Sequence, residues 1–359
     1  MTKIKVAILY GGRSVEHGVS INSARNIAEY IDKTKFEPIL IGISTTGAWH
    51  ITSSVSKEIE TGEKLNLQLN PTHAGFITEQ GIVYKPDVVF PVLHGTDGED
   101  GSIQGLLQAM SLPMVGTGVL GSSMSMNKLV AKKILIEAGL PVAKFLYYYF
   151  EDRDQINFQR ISSTLGLPFM IKSASLGSSV GVSKVTQEAD LKMAVEEAFK
   201  YDDCLLAEEF IKGREIECAI LGNHPPLASL PGEIIISKKY EFYTFDAKYV
   251  DGEAVKIDVP AKLDKDIAET IRQHSQKAYL ALRCEDFSRV DLFLTEEGRV
   301  VVNEINTIPG FTNSSMFPMM WKERGISFSD LITKLIELSL ERAKRSTRIK
   351  KDFQSALKF

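Results

Sequence analysis

Two runs of the chain, 289–294 and 299–306, alternate apolar and polar residues with a period of two on either side of Glu296-Glu297-Gly298. Such alternation marks half-buried strands, and the Glu-Gly between them predicts a β-hairpin. A two-residue loop, Glu297-Gly298, would set Asp291 opposite Glu304 and Arg289 opposite Asn306, with all four side chains on one face. Val290, Leu292, Leu294, Val301 and Ile305 would then share the other face and suit a core.

The remaining pattern is that of an α/β protein. An apolar strand at 3–10, a Gly11-Gly12 turn and an amphipathic helix at 20–31 open the chain, and ligands bind at the carboxyl ends of such strands. A second apolar strand, 87–93, ends in His94-Gly95 and the turn-rich TDGEDG, where Glu99 and Asp100 are expected to cap a helix beginning near Ser102. A helix over 125–138 presents Lys128 and Lys132 one turn apart on one face. Strand-like runs flank a loop of small residues between Phe169 and Val185, and a further strand, 204–210, ends in Glu208-Glu209. The stretch 236–260 is polar and aromatic without periodicity, which in a compact domain suggests a functional lid or a disordered loop. A helix at 263–282 leads into the hairpin, and Ser327 with Asp330 three residues on predicts the cap of a last helix running to Arg345.

Composition narrows the class without naming a function. At 359 residues the chain suits two or three domains, and 44% hydrophobic with 25% charged is ordinary for a globular protein. A net charge of −4 gives no general attraction for nucleic acid or anionic membrane. Only the end of the chain, from Arg342 on, is basic, and it reads as a solvated tail. Cys204, Cys218 and Cys284 are odd in number and widely spaced, which predicts buried reduced thiols rather than disulfides or a zinc site. The apolar run 6–10 is too short for a signal-peptide core and nothing approaches the ~18 apolar residues of a membrane span, so a cytoplasmic location is expected.

Candidate chemistry centres on the hairpin. Facing carboxylates on adjacent strands lie roughly 5 Å apart and repel unless a cation, a proton or water screens them. With the Asn306 amide oxygen, Asp291 and Glu304 form a hard-oxygen set suited to magnesium. A hairpin whose acids are solvated or paired with Arg289 explains the same residues without a metal, and the pattern leaves both readings open. GTGVLG at 116–121 matches a dinucleotide fingerprint, a weak signal alone, while Gly11-Gly12-Arg13-Ser14 breaks the spacing that a nicotinamide site needs. The backbone N–H groups of LGSSVG, 176–181, can wrap phosphate oxygens, yet no G-K-[ST] follows and a P-loop is excluded.

RVDLF at 289–293 followed by NEINTIPGFT at 303–312 resembles the metal-binding signature of the D-alanine–D-alanine ligases of the ATP-grasp superfamily. GGRSVEHGVS, LGSSVG and DAKY at 246–249 resemble, in family order, its substrate loop, glycine-rich lid and ω-loop. The family usually has glutamate at Gly18 and proline at Ser173.

The resemblance implies a three-domain ATP-grasp architecture: an N-terminal Rossmann-like α/β domain with a parallel sheet over 1–120, then two α+β domains, 121–212 and 213–345, that clamp ATP, and a basic tail, 346–359. It implies that Glu16 holds the amine of the first D-alanine, with His94 beside it. Lys132 and Lys172 would contact phosphates, together with Lys248 and the lid serines Ser178 and Ser179. Glu208, Glu209 and the Ile211 backbone would border the adenine, and Glu215 the ribose. Tyr249 would join Glu16 and Ser178 in a network and favour an amine nucleophile over D-lactate. Asp291, Glu304 and Asn306 would hold two Mg2+ (or Mn2+), with K+ a further candidate cofactor. Arg289 and the Gly310 N–H would face the oxyanion, and Ser315 with Met316 the second substrate. The expected partners are ATP, two molecules of D-alanine and a second copy of the chain in a homodimer, with no nucleic acid and no membrane. A related ligase using D-serine or D-lactate as second substrate is the alternative.

Overall fold

The computed structural model describes residues 2–177, 181–237 and 255–350. The first sheet has seven strands in the order β6-β5-β4-β3-β2-β1-β7. They are β1 (Ile4–Gly11), β2 (Phe36–Ile43), β3 (Trp49–Ile51), β4 (Glu63–Gln68), β5 (Gly75–Thr78), β6 (Val83–Tyr84) and β7 (Val88–Pro91). Only β2-β1-β7 is the expected parallel unit; β3 to β6 extend it as an antiparallel meander that the apolar pattern did not single out. The helix His17–Tyr30 covers β1 and buries Ile21, Ala24 and Ile27 against Ile8 and Phe90.

The second sheet runs β10-β9-β11-β8, with β8 (Phe145–Tyr149), β9 (Phe169–Ser173), β10 (Val182–Val185) and β11 (Cys204–Glu209) all antiparallel. The third contains β12 (Gly213–Leu221), β13 (Leu227–Ala228), β14 (Gly232–Ile236), β15 (Val255–Asp258), β16 (Phe287–Thr295) and β17 (Val300–Asn306), ordered β15-β14-β12-β16-β17 with β13 beside β12. The helix Lys265–Ala281 packs Ile271, Ala278 and Tyr279 on its apolar face.

Two helices pack away from their neighbours in sequence. Position 120/121 lies inside the helix Val119–Met126, and the next helix, Lys128–Glu137, buries Ala131 and Leu135 in the same core as Ile216, Tyr279 and Val290. Residues 119–137 thus serve the third sheet more than the second. Asn127 separates the two helices, its side chain accepting from the Val130 N–H at 3.0 Å, so the helix expected over 125–138 is broken. At the other end the helix Phe328–Ser346, capped by Ser327 as expected, sets Leu331, Ile332, Leu335 and Ile336 against Val6, Ile8 and Val88 of the first sheet.

A buried polar lock ties these parts together. Arg342 donates to the Met114 and Gly116 carbonyls (2.7 and 2.8 Å) and to the carboxylates of Glu285 and Asp286 (2.7 and 2.8 Å). Asp286 also accepts the Gly116 N–H at 2.9 Å. The 116–121 glycines therefore have structural work: Gly116 sits at φ +99, and a Cβ on Gly121 would lie 2.5 Å from the Arg283 carbonyl oxygen. The three cysteines are free and buried. Among the described residues no helix is long and apolar enough to cross a membrane.

Candidate active site

The hairpin of β16 and β17 keeps the expected pairing at its far end: Asp291 faces Glu304 and Arg289 faces Asn306. Two features of the connection differ from expectation. The turn has three residues, with Thr295 bonded across to Arg299 at 3.0 Å and Gly298 at φ +82, and a bulge follows between Asp291 and Leu292. The extra residue in the turn moves Val300 and Val302 onto the core face with Val290, Leu292 and Leu294, while Val301 pairs with Phe293 on the other face. The bulge restores the predicted register before the acids.

Strand β12 lies on the other side of β16 and sets Glu217 opposite Asp291, so Glu217, Asp291 and Glu304 form a row across three strands. Arg289 grips Asp291 through Nε and Nη2, both at 2.7 Å, and its Nε is 3.0 Å from Glu217 Oε2. The row is thus partly compensated by a cation from its own hairpin.

Two cavities of about 530 Å3 each meet along this row. Lys128, Leu176, Gly177, Glu217, Ile234 and Glu304 line both. One holds Glu16, His94, Arg289, Asn306, Gly310, Ser315 and Met316, bringing together residues from the first and third sheets. The other holds Lys172, Glu208, Glu209, Ile211, Glu215 and Asp291 between the second and third sheets. Ser178, Ser179, Lys248 and Tyr249 lie outside the described residues.

Around the first cavity, His94 is buried and its Nε2 lies 3.1 Å from Ser23 Oγ; burial holds its pKa below the ordinary value, so the ring is neutral at pH 7. Glu99 corrects an expectation. It does not cap the following helix, whose N-cap is Gly101; only Asp100 bonds the Ser102 N–H, at 2.9 Å. Glu99 instead accepts the Gly95 N–H at 2.6 Å and the Ile308 N–H at 3.2 Å, joining the first sheet to the loop that carries Gly310. Burial and the charge of Glu16 push its carboxyl up to about 8. Ser315 Oγ lies 2.8 Å from Thr312 Oγ1, which fixes the turn beyond Gly310.

At the second cavity Glu208 is the hub of a buried triad, 2.8 Å from Lys172 Nζ and 3.3 Å from Lys132 Nζ. Burial would raise its pKa, but the two ammonium groups pull it down to about 2. Burial also opposes the charge of each lysine: it wins at Lys132, whose pKa is lowered, and loses at the closer Lys172, whose pKa is raised by Glu208. Lys132, expected at the phosphates, is 1% exposed, pairs with Glu208 and lines neither cavity. Lys128, one turn earlier, reaches the junction, 2.5 Å from the Leu176 carbonyl and 3.9 Å from Glu304. Glu209 is drawn toward the Lys144 N–H and Arg299, at 3.0 and 3.2 Å, at the cavity rim.

Asp291, Glu304 and Asn306 offer oxygen donors only, a set that fits magnesium rather than a softer metal. Among the described residues no group of three or more His, Cys, Asp or Glu side chains stands ready to hold a metal. Asp291, Glu304 and Asn306 would bring two carboxylates and one amide oxygen to the ion, with Asp291 shared between the ion and Arg289.

A three-sheet clamp with a lysine- and acid-lined cavity opening into a second of similar size is the architecture of an ATP-grasp carboxylate–amine ligase. The chain belongs to the D-alanine–D-alanine ligase family: models described as the D-ala D-ala ligase N-terminus and C-terminus match residues 5–117 and 134–337. It is 46% identical to a D-alanine--D-alanine ligase of Shouchella clausii, over 98% of each chain. It is 44% identical to D-alanine--D-alanine ligase A of Escherichia coli K12, over 95% of this chain and 97% of the other. Among solved structures, the D-alanine-D-alanine ligase from Coxiella burnetii superimposes with a TM-score of 0.86 at 35% identity, covering 97% of each chain. The VanG D-Ala:D-Ser ligase from Enterococcus faecalis superimposes with a TM-score of 0.85 at 36% identity, covering 94% of this chain and all of that one.

Proposed function

We propose that the chain joins two molecules of D-alanine into D-alanyl-D-alanine for peptidoglycan synthesis, consuming ATP and releasing ADP and phosphate. The observation that carries this reading is the meeting of the two cavities at Lys128, Glu217 and Glu304, where a phosphoryl group leaving one would enter the other.

A carboxylate is a poor acyl donor until it is phosphorylated. In this reading the carboxylate of the first D-alanine, whose ammonium rests on Glu16, attacks the γ-phosphorus and forms an acyl phosphate. The amine of the second, whose carboxylate is held at Ser315, then attacks the acyl carbon and phosphate leaves. Arg289 and the Gly310 N–H stabilise the oxyanion of that tetrahedral intermediate, and removing one such donor typically costs about 100- to 1000-fold in rate. Neutral His94 contributes a hydrogen bond beside the first substrate without adding charge. Lys172 and Lys128 position the phosphates, Glu209 and Ile211 border the base, and Glu215 takes the ribose. Magnesium held by Asp291, Glu304 and Asn306 would supply neutralisation of charge on the phosphates. The network of Ser178 and Tyr249, the cytoplasmic setting and the homodimer belong to the same reading.

The test is phosphate release with ATP and magnesium, adding D-alanine alone, L-alanine alone, or D-alanine with D-serine or D-lactate, with products identified by mass. D-alanine alone giving the dipeptide is the expected result. Products formed only in a mixture would replace it with a D-serine or depsipeptide ligase.

A further inference from the structure

We infer that Glu217 is a positioning residue for Arg289, holding the guanidinium in place when Asp291 turns to the metal. The inference rests on the oxyanion role proposed for Arg289. Glu217 is 3% exposed, sits directly across from Asp291 on the neighbouring strand, and lines both cavities. Its Oε2 is 3.0 Å from Arg289 Nε, the same nitrogen that donates to Asp291 Oδ1 at 2.7 Å.

Arg289 Nε therefore lies within reach of two carboxylates, with its N–H on Asp291. Asp291 holds the guanidinium with both oxygens, Oδ1 to Nε and Oδ2 to Nη2. An oxygen given to magnesium weakens that grip, because the dication draws negative charge away from the carboxylate that the guanidinium is bonded to. Arg289 would then have its orientation set by Asp291 at one moment and lost at the next, in the step where a small displacement is costly. Glu217 removes this conflict. It stands on a different strand, it is the acid of the row to which no metal role falls, and a small turn of the guanidinium brings the Nε–H onto its Oε2, 3.0 Å away. Glu304, the third acid of the row, is nearer to Lys128, at 3.9 Å, and has its own cation.

The experiment compares Glu217→Gln, Glu217→Asp and Arg289→Ala by steady-state kinetics. Calorimetric binding of a phosphinic dipeptide, whose tetrahedral phosphorus copies the intermediate, is measured with ADP present. For Glu217→Gln the expected result is a kcat lowered about 10- to 100-fold with KM for ATP and for D-alanine within about twofold of the parent, and analogue affinity lowered by a similar factor. Glu217→Asp, which keeps the charge on a shorter arm, recovers part of both and carries the test should the amide fail to fold. Parental kcat and analogue affinity in Glu217→Gln overturn the inference, as does a loss confined to KM for ATP, which would make Glu217 a wall of the nucleotide cavity. Arg289→Ala at full rate is a different failure, since it removes the oxyanion reading on which the inference stands.

Discussion

Replacing Glu208 by glutamine removes the anion between buried Lys132 and partly buried Lys172 while keeping the side chain's shape. Glu208 and Lys132 are each 1% exposed, so solvent screens little of the interaction. The ordinary carboxyl value is 4.5 and the folded value about 2, a depression of about 2.5 units worth about 3 kcal/mol at neutral pH. This agrees with the ~3–5 kcal/mol typical of breaking one side of a buried ion pair. The folded pKa lies below the unfolded one, so the stabilisation is complete above about pH 4.5 and is lost as pH falls through 4.5 toward 2. For a chain of this length ~3 kcal/mol corresponds to a lowering of Tm of about 4 °C. The assay is calorimetric melting of parent and variant at pH 7 and at steps down to pH 4. The gap should be about 4 °C at pH 7 and should narrow toward pH 4. A Glu208→Gln variant melting within 1 °C of the parent at pH 7, or a gap that widens with acidity, would refute the reasoning.

Two further predictions separate residues that the sequence makes look alike. Lys128→Ala should raise KM for ATP or lower kcat by about tenfold or more with little change in melting, whereas Lys132→Ala should lower Tm first, because its ammonium is spent on Glu208; steady-state kinetics beside a thermal melt of each variant decides. Gly121→Ala places a methyl 2.5 Å from the Arg283 carbonyl oxygen and should destabilise by about 1–3 kcal/mol, read as a loss of a few degrees in Tm with nucleotide affinity unchanged.

What could be read from the chain alone follows the range of the forces involved. Parity of apolar residues is a local property, and it placed Asp291 against Glu304 and Arg289 against Asn306 correctly. Lys128 and Lys132 share a helix face, and only the break at Asn127, together with the packing of Ala131 and Leu135 below it, decides which end reaches the cavities. Glu99 reads as a cap from sequence because one of its two partners, the Ile308 N–H, is 209 residues away. Glu217 went unnoticed although it lies two residues beyond Glu215 on one strand face, since its meaning depends on β16 lying alongside. Motif spacing likewise cannot see that the Lys128–Glu137 helix packs under the third sheet or that the Phe328–Ser346 helix packs on the first.

The turn and the bulge of the β16–β17 hairpin behave like an insertion and a compensating frameshift in a reading frame. The extra residue at Glu296-Glu297-Gly298 puts the strand one step out, which sends Val300 and Val302 into the core, and Asn303 puts it back before Glu304 is reached. Neither irregularity can be lost alone without sliding Glu304 past Asp291 or exchanging the faces of the valines. Homologous chains should therefore carry both or neither. Anyone transplanting the facing pair Asp291 and Glu304 onto another scaffold must move 287–306 as one piece, because the spacing of the two acids is written partly in a turn that never touches them.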